Sequence, residues 1–563
     1  MLDTTRETMR KFGLLALFSI TLALLASCSG KGGEKTDSGH GDAALDSGQT
    51  DNGNDADADG DTDGDVDGDA DSDVDGDGDA DGDAAPAFLC DNPVQNCCVH
   101  LDWARSMKTC PYNFPKVALL PDGSSIVAGK FEWEIFFTPD AGLHPIDSSQ
   151  PINLFIAKYN ETGRFLWAKQ VIADQDVVVT GIDAFNDGSF VITGTFKTYA
   201  VFGRGELNET RLSVSDVTGG AISMFLARYN SDGILAWATQ SSGISSEYSN
   251  AVSISGDDTT YITGDFIGRA TFGQGESGET TLISEGWRDI FLARYESGGN
   301  LLWARSISGP STQDEQGNSA EDVSVFPDGS TLILGFCIHQ CTFGKGQIHE
   351  TTLDDQHTGL FLARYENDGT FSWVKTLSGY PELVDCSADG TVFVIGQFTG
   401  STTFGPGEPN ETSLTAQGDT DIFLARLNLD GTLSWVRDVS SGLDGTIAVE
   451  GVFSDNDASV TVGGGSAYDA IFGKGEAQET CLTAGTFLVK YHSDGTLVWA
   501  KRTSDGFGFD GMDVSKNGLA SFTESYIFDE TMGPGDPNQT TLDVAPNSSC
   551  YTSGEIALVR FSP

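Results

Sequence analysis

The sequence predicts an all-β protein: a seven-bladed β-propeller closed by its N- and C-terminal strands and preceded by a disordered Asp-rich tether. One hairpin recurs, as FLARYNSDGILAWA, FLARYESGGNLLWA and FLARYENDGTFSWV. A Trp followed by Ala or Val recurs seven times, at spacings of 62 to 70 residues. Such a period indicates one supersecondary unit per copy, with each unit buried against its neighbours. A run of Asp near the N-terminus predicts the tether.

Residues 1–27 are predicted to be a signal peptide, because basic residues precede an apolar run, Phe12 to Ala26, that is too short for an ordinary membrane-spanning helix. The sequence LASC, ending at Cys28, resembles the lipobox of bacterial lipoproteins. That resemblance implies a lipid on Cys28, and a residue other than Asp at position 29 implies the outer membrane. We therefore expect a lipid-anchored envelope protein that faces the periplasm or the cell surface. The alternative is an ordinary secretory signal, and the initiator is either Met1 or Met9.

Residues 28–88 are predicted to be the tether. Sixteen Asp occur between positions 51 and 83, and so few apolar side chains cannot offset the chain entropy of folding. Three segments match the opening of a calcium loop, but Val or Gly stands where such a loop needs a bidentate acid. Diffuse, weak cation binding is expected here. Residues 89–98 form a Cys-containing entry segment whose disulfide pairing stays open, and residues 99–563 form the propeller.

Each repeat is predicted to contain four strands. In one copy, VSVFPDGSTLILGF gives two strands around a Pro-Asp-Gly turn, and FLARYENDGTFSWVK gives two more around an Asp-Gly turn. The strand LDWARS near the N-terminus has no FLARY partner before it, and IALVRF at the C-terminus has no Trp strand after it. Together they complete one blade and remove an exposed sheet edge.

The closure predicts a disulfide. We expect Tyr295 to face Leu301 in the repeated hairpin, and the same register applied to the two termini brings Cys550 near Cys110. A Cys110–Cys550 bridge would therefore hold the two ends of the chain together.

Three of the other cysteines within the repeats carry predictions of their own. Cys337 and Cys341, in CIHQC, form a local bridge or remain two free thiols; a zinc site with His339 is a third reading, with poor ligand geometry on a strand. Cys386 replaces an apolar strand residue and is predicted to be a buried core thiol.

The recurring order FLA(R/K)Y, DG, LxWA, VxxDG, TGxF and FGxGE resembles the SBBP β-propeller repeats of secreted bacterial proteins. The resemblance covers roughly residues 99–563. It implies seven blades and an extracytoplasmic setting, and it implies no single activity.

The net charge of −52 argues against two classes of partner. Nucleic acid and anionic lipid both require basic side chains in number. The expected partners are the membrane, through lipid on Cys28, and a protein or glycan ligand. No cofactor is expected with certainty, and Ca²⁺ is the ion that the acidic composition suits.

Two sets of acids are candidate binding residues. Paired acids in FGxGExxET are weak candidates for cation sites or a carbohydrate-facing rim, or else duplicated solvated tips: Glu206, Glu209, Glu276, Glu279, Glu408, Glu411, Glu476 and Glu479. The variable loops after each Trp strand differ between blades, and loops on a rigid scaffold commonly bind ligands. Their candidate ligand-facing residues are Asp174, Asp176, Glu247, Asp314, Glu315, Asp444, Asp505 and Asp510.

No catalytic residue is predicted, since none of the seven His lies in a recognisable motif. The preferred interpretation is a binding module for a protein, glycan or metal ligand. The alternatives are a polysaccharide lyase or glycoside hydrolase on a propeller scaffold, for which paired carboxylates could serve, and a purely structural surface module.

Overall fold

The computed structural model describes residues 99–563 except 111–113, 138–143, 174–175, 215–219, 244, 311–316, 339, 355–358, 441–446, 507, 527–528 and 543–553. The described residues form strands and turns without a helix, and so offer no helical segment suited to crossing a membrane. The predicted signal peptide, lipobox, tether and entry segment lie outside the described residues and stay predictions.

The strands in chain order are β1 (His100–Cys110), β2 (Lys116–Leu119), β3 (Ser125–Phe137), β4 (His144–Tyr159), β5 (Phe165–Ala173), β6 (Val177–Ala184), β7 (Phe190–Phe196), β8 (Tyr199–Phe202), β9 (Thr210–Ser213), β10 (Ser223–Tyr229), β11 (Leu235–Gln240), β12 (Ser242–Gly243), β13 (Glu247–Ile254), β14 (Thr260–Phe266), β15 (Arg269–Phe272), β16 (Thr280–Ile283), β17 (Asp289–Tyr295), β18 (Leu301–Ile307), β19 (Ser319–Val325), β20 (Thr331–Cys337), β21 (Cys341–Phe343), β22 (Thr351–Leu353), β23 (Gly359–Tyr365), β24 (Phe371–Thr376), β25 (Tyr380–Cys386), β26 (Val392–Phe398), β27 (Ser401–Phe404), β28 (Thr412–Thr415), β29 (Asp421–Leu427), β30 (Leu433–Ser440), β31 (Ile447–Ser454), β32 (Val460–Ser466), β33 (Ala470–Phe472), β34 (Thr480–Leu482), β35 (Gly485–Tyr491), β36 (Leu497–Ser504), β37 (Gly511–Val514), β38 (Ala520–Tyr526), β39 (Glu530–Met532), β40 (Thr540–Leu542) and β41 (Gly554–Ser562).

Strand pairing groups these elements into antiparallel units of four, which we call blades 1 to 7. They are β2-β3-β4-β5, β6-β7-β10-β11, β13-β14-β17-β18, β19-β20-β23-β24, β25-β26-β29-β30, β31-β32-β35-β36 and β37-β38-β41-β1. The first strand of each blade contacts the first strands of the blades before and after it, and β37 contacts β2. The first strands therefore form a closed inner ring around a central channel, and the prediction of an all-β propeller is confirmed.

Blade 7 is completed by strands from both ends of the chain, as predicted. Strand β41 pairs with β38 on one side and with β1 on the other, with Ala104 opposite Val559 and Thr109 opposite Gly554. The predicted register of the repeated hairpin, Tyr295 opposite Leu301, is also confirmed. Cys550 lies outside the described residues, so the Cys110–Cys550 bridge stays a prediction.

The repeated Trp joins each blade to the next. Its ring covers the turn glycine between the third and fourth strands of the following blade, and a Cβ on Gly233, for example, would lie 2.5 Å from Trp167. These glycines have positive φ, so both backbone and space require glycine. The contacts are Trp103–Gly163, Trp167–Gly233, Trp237–Gly299, Trp303–Gly369, Trp373–Gly431 and Trp435–Gly495.

A second device joins neighbouring blades at the outer edge. In blades 2 to 7 a short hairpin follows the second strand, and several of these hairpins pair with the outer strand of the preceding blade, as β8 does with β5 and β39 with β36. Blade 1 lacks the FGxGE sequence and instead extends its second and third strands to 13 and 16 residues. Its β3 then pairs directly with β1.

The structure describes the side chains of four cysteines within the blades. Cys337 and Cys341 are buried and form a disulfide with an S–S distance of 2.04 Å. Cys386 is a free buried thiol, as predicted, and burial raises its pKa. Cys481 is disulfide-bonded.

Candidate functional site

The predicted loop acids fall into separate environments. Asp174, Asp314, Glu315 and Asp444 lie outside the described residues, so their predicted role stays a prediction. Asp176 is bound by two lysines, with Lys130 Nζ at 3.0 Å and Lys197 Nζ at 3.6 Å. Burial would raise the pKa of Asp176, but the two ammonium groups outweigh it and lower that pKa.

Asp505 and Glu247 also interact with neighbouring side chains of the protein. Asp505 pairs with Arg502, at 2.6 Å between Oδ1 and Nη2. The Glu247 side chain is buried, and burial raises its pKa to about 8, while the nearby Ser241 and Ser223 oppose that shift. The described loop acids therefore have separate partners, and they do not form a single site among the described residues.

The paired acids of the FGxGE hairpins bind backbone amides. The first acid of a pair accepts from the first residue of the outer strand in its own blade, as Leu235 N–H donates to Glu206 Oε2 at 2.7 Å. The second acid closes the hairpin turn, as Gly205 N–H donates to Glu209 Oε2 at 2.6 Å. Glu276, Glu279, Glu408, Glu411, Glu476 and Glu479 repeat these contacts. The contacts give both acids a structural role.

The structure brings four other acids together along the inner ring. Glu321, Glu382 and Glu450 each occupy the β-bulge of a first strand, where one extra residue stands between two paired ones. Asp510 occupies the matching position just before β37, where its N–H donates to Thr523 O. These residues come from blades 4, 5, 6 and 7 in sequence, and we call them the acidic arc.

Burial raises the pKa of every member of the acidic arc, and repulsion within the arc adds to the shifts of Glu382 and Glu450. Burial, with repulsion from Glu450 and Glu321, raises the pKa of Glu382 to about 8. Burial also raises the pKa of Glu450 to about 7, with Lys116 opposing the shift and Asp510 adding to it. Glu321 is exposed and the others are partly exposed, so the carboxyl groups reach channel water while the surrounding strands exclude bulk solvent.

Lys116 of blade 1 stands at the end of the acidic arc. Its Nζ donates to the backbone oxygen of Asp510 at 2.9 Å. Burial raises the pKa of Asp510 to about 6, while the Ser525 hydroxyl and Lys116 oppose that shift. The arc therefore carries several carboxyl groups and one adjacent ammonium group, which leaves excess negative potential on that side of the channel when the carboxyl groups are ionised.

Other aspartates of the inner ring accept hydrogen bonds from the backbone of the next blade. Asp322 accepts from Val384 N–H at 2.9 Å, Asp385 from Ser454 N–H at 2.6 Å and Asp513 from Leu119 N–H at 2.6 Å. Asp183 makes the same kind of bond to Ile254 in the next blade. Burial, together with the charges of Asp513 and Asp385, raises the pKa of Asp183 to about 7. These acids have structural partners, and they add to the negative potential of the channel.

Sequence reasoning found Asp510 and missed the other members of the acidic arc. Their segments, SAEDVSV, YPELVDC and IAVEGVFS, share only a Val two residues after the acid. An acid near the start of each first strand is the pattern in the sequence, and it can be recognised only once the position of the β-bulge is known. In the described residues, no group of three or more His, Cys, Asp or Glu side chains is arranged to hold a metal ion.

Comparisons with known proteins agree with a propeller repeat protein. No family model matches the chain, so the SBBP resemblance stays a prediction. An uncharacterised WD repeat-containing protein of Acanthamoeba polyphaga mimivirus is 22% identical over 433 residues, which cover 66% of this chain and 31% of that protein. The match thus spans about a third of that relative's length.

Solved structures resemble the chain weakly. BamB from Moraxella catarrhalis is 12% identical, with a TM-score of 0.31 over 82% of this chain and 98% of that one. A protein from Lactobacillus plantarum is 12% identical, with a TM-score of 0.38 over 74% and 96%. Likenesses at this level carry no argument about function.

Proposed function

We propose that the chain is an envelope-anchored lipoprotein whose propeller is a binding module, and that the acidic arc receives a cationic group of the ligand. A lysine or arginine side chain of a partner protein has the required chemistry. The observation that carries the proposal is the convergence of Glu321, Glu382, Glu450 and Asp510 from four blades onto one channel wall. Opposite charge from a ligand would relieve the repulsion that adds to burial in raising the pKa of Glu382 and Glu450.

The test compares two variants with the same change of charge. The arc variant carries Glu321→Gln, Glu382→Gln and Glu450→Gln. The rim variant carries Glu209→Gln, Glu279→Gln and Glu411→Gln, and Gln539 already fills the equivalent position in another hairpin, accepting from Gly535 N–H at 2.8 Å. With a lysine-rich peptide as probe, at physiological salt, we expect the arc variant to lose about tenfold in affinity. The rim variant should bind as the wild type does.

The tether is common to all three proteins, so its own attraction for the probe cancels in the comparison. Equal affinity of the arc and rim variants would contradict a role for the acidic arc. In that case the ligand contacts would lie elsewhere, and a neutral glycan would become the next probe.

An enzyme acting on polysaccharide is a second candidate, because the raised pKa of Glu382 suits a group that donates a proton at neutral pH. A panel of acidic and neutral polysaccharides, assayed for reducing ends and for unsaturated products, tests it. Turnover that is lost in Glu382→Gln would support this function. Absence of turnover by the wild type, or turnover unchanged in the variant, would count against it.

The lipid anchor is a separate part of the proposal. It is supported by the match of LASC to a lipobox at the end of a signal-like segment. Replacement of Cys28 by Ser should abolish incorporation of labelled fatty acid and move the protein from the membrane fraction to the soluble fraction of the envelope. Retention of the label in the variant would exclude Cys28 as the lipidated residue.

A further inference from the structure

One buried position is the same in six blades and different in the seventh. In blades 1 to 6 a Gly of the second strand pairs with a Phe of the third strand. The pairs are Gly129–Phe155, Gly194–Phe225, Gly264–Phe291, Gly335–Phe361, Gly396–Phe423 and Gly464–Phe487. In blade 7 the same pair is Glu524 and Ala557.

Steric packing explains why Glu524 and Ala557 replace the Gly–Phe pair in blade 7. A Cβ on Gly335 would lie 2.7 Å from the Phe361 ring and 2.6 Å from the Ser319 carbonyl oxygen, so that blade admits no larger residue. Ala557 takes the place of the ring in blade 7 and frees the volume that Glu524 occupies. The Glu524 side chain is only 1% exposed.

A second position changes in the same blade. The residue two places before the FGxG phenylalanine is small in the other hairpins: Ala200, Ala270, Cys341, Thr402 and Ala470. In blade 7 it is Glu530, which is 7% exposed. A Cβ on Gly506 would lie 1.6 Å from Glu524 Oε1 and 2.2 Å from Glu530 Oε1, so both oxygens converge on one small volume. Duplication of a repeat cannot explain two new glutamates that meet.

The side chains next to Glu524 and Glu530 carry oxygen atoms of the kind that coordinate a cation. Ser504 Oγ lies 2.8 Å from Glu524 Oε2 and 2.7 Å from Thr486 Oγ1. Glu530 Oε2 is buried and has no hydrogen-bond partner within the described part of the chain. Burial is the main cause of the raised pKa of both Glu524 and Glu530. The charges of Glu530 and Asp510 add to the shift of Glu524, Asp505 adds to that of Glu530, and no basic residue is among the causes in the described structure.

Two buried carboxyl groups without a basic partner are costly when ionised, unless a cation joins them. Hard divalent cations prefer carboxylate and hydroxyl oxygens and tolerate irregular geometry when they are as large as Ca²⁺. The unpartnered oxygen of Glu530 supplies a free ligand atom. We propose that Glu524 and Glu530 of blade 7, with the hydroxyl of Ser504 at the end of the outer strand of blade 6, bind a divalent cation of the Ca²⁺ class between the two blades.

Bound Ca²⁺ would stabilise the blade that joins the two ends of the chain, so the test is thermal unfolding of the full chain. At pH about 8, saturating CaCl₂ should raise the unfolding midpoint of the wild type by about 2 °C or more, relative to NaCl of equal ionic strength. Glu524→Gln preserves the shape of the side chain and should lose this shift.

A second variant gives blade 7 the residues of the other blades: Glu524→Gly, Ala557→Phe and Glu530→Ala together. It should fold, because six blades already use the Gly–Phe pair and three hairpins already use Ala at the third position, and it should show no calcium shift. A wild-type midpoint that does not respond to Ca²⁺ overturns the proposal without any variant. An equal response in the wild type and both variants also overturns it, because the tether or other acids would then account for the effect.

Discussion

Blades 1 to 6 and blade 7 solve the same packing problem differently. Each of the first six is one continuous stretch of chain, with a turn glycine between its third and fourth strands that a Trp of the preceding blade covers. Blade 7 takes its fourth strand from the other end of the chain and has no such turn. Among the described residues no glycine approaches Trp499, the Trp that would cover it.

This comparison distinguishes the residues that the propeller fold requires from the residues that are particular to blade 7. Glycine and phenylalanine recur where backbone and ring leave no room for anything else. Blade 7 departs from both rules at once, with Glu524 beside Ala557, and it places acids in the space gained. The repeated residues are therefore explained by packing, and the departures from the repeat are where specific chemistry is to be sought.

The largest expected effect comes from imposing the blade 7 residue on a regular blade. Gly335→Glu should destabilise the fold by about 4 kcal/mol or more, because the side chain meets Phe361 and buries a charge. The double variant Gly335→Glu, Phe361→Ala should recover at least about 1 kcal/mol of that loss. Urea unfolding of the two variants measures both values. If the double variant proves less stable than the single one, the steric reading of the Glu–Ala exchange is wrong.

A smaller effect should distinguish two members of the Trp repeat. Trp303 is 8% exposed, covers Gly369 and donates from Nε1 to Asn367 O at 3.0 Å. Trp303→Ala should cost about 3 to 5 kcal/mol. Trp499→Ala should cost about 1 to 2 kcal/mol, since Trp499 is only partly buried and covers no turn glycine. Equal losses in chemical denaturation would show that the split blade supports its Trp as well as a continuous one.

The smallest effect concerns pH. The pKa of Glu382 is raised from 4.5 to about 8, so this group holds its proton in the folded chain at a pH where the unfolded chain has released it. The free energy of unfolding should therefore fall as pH rises from about 5 to about 8. Glu382→Gln cannot titrate and should reduce that slope. Urea unfolding at constant ionic strength checks this, and a stability that rises over the same window would contradict it.

Much of the architecture was readable from the repeat. The turn residues and alternation of each copy predicted four strands, and the unmatched strands at the two ends predicted the pairing of β1 with β41. Cys386 was predicted as a core thiol because it replaces an apolar residue, and it is buried. These predictions succeed because local turn chemistry and strand periodicity act within a single copy.

The acidic arc could not be predicted in the same way. Glu321, Glu382 and Glu450 share little local sequence beyond a Val two residues later, and what unites them is a bulge defined by pairing to the next strand. The hairpin acids are the opposite case. Their motif is conspicuous in the sequence, but the acids bind backbone amides of their own blade.

The sequence by itself determined the repeat, the β character of each copy and the closure of the ring, because those depend on residues close together in the chain or on a periodicity written along it. Only the tertiary structure decided which side chains meet. The carboxyl groups of the acidic arc, and those of Glu524 and Glu530, become neighbours because the ring brings separate strands together and excludes bulk water between them. Burial and that proximity together raise their pKa values, and both proposals of cation binding start from this arrangement.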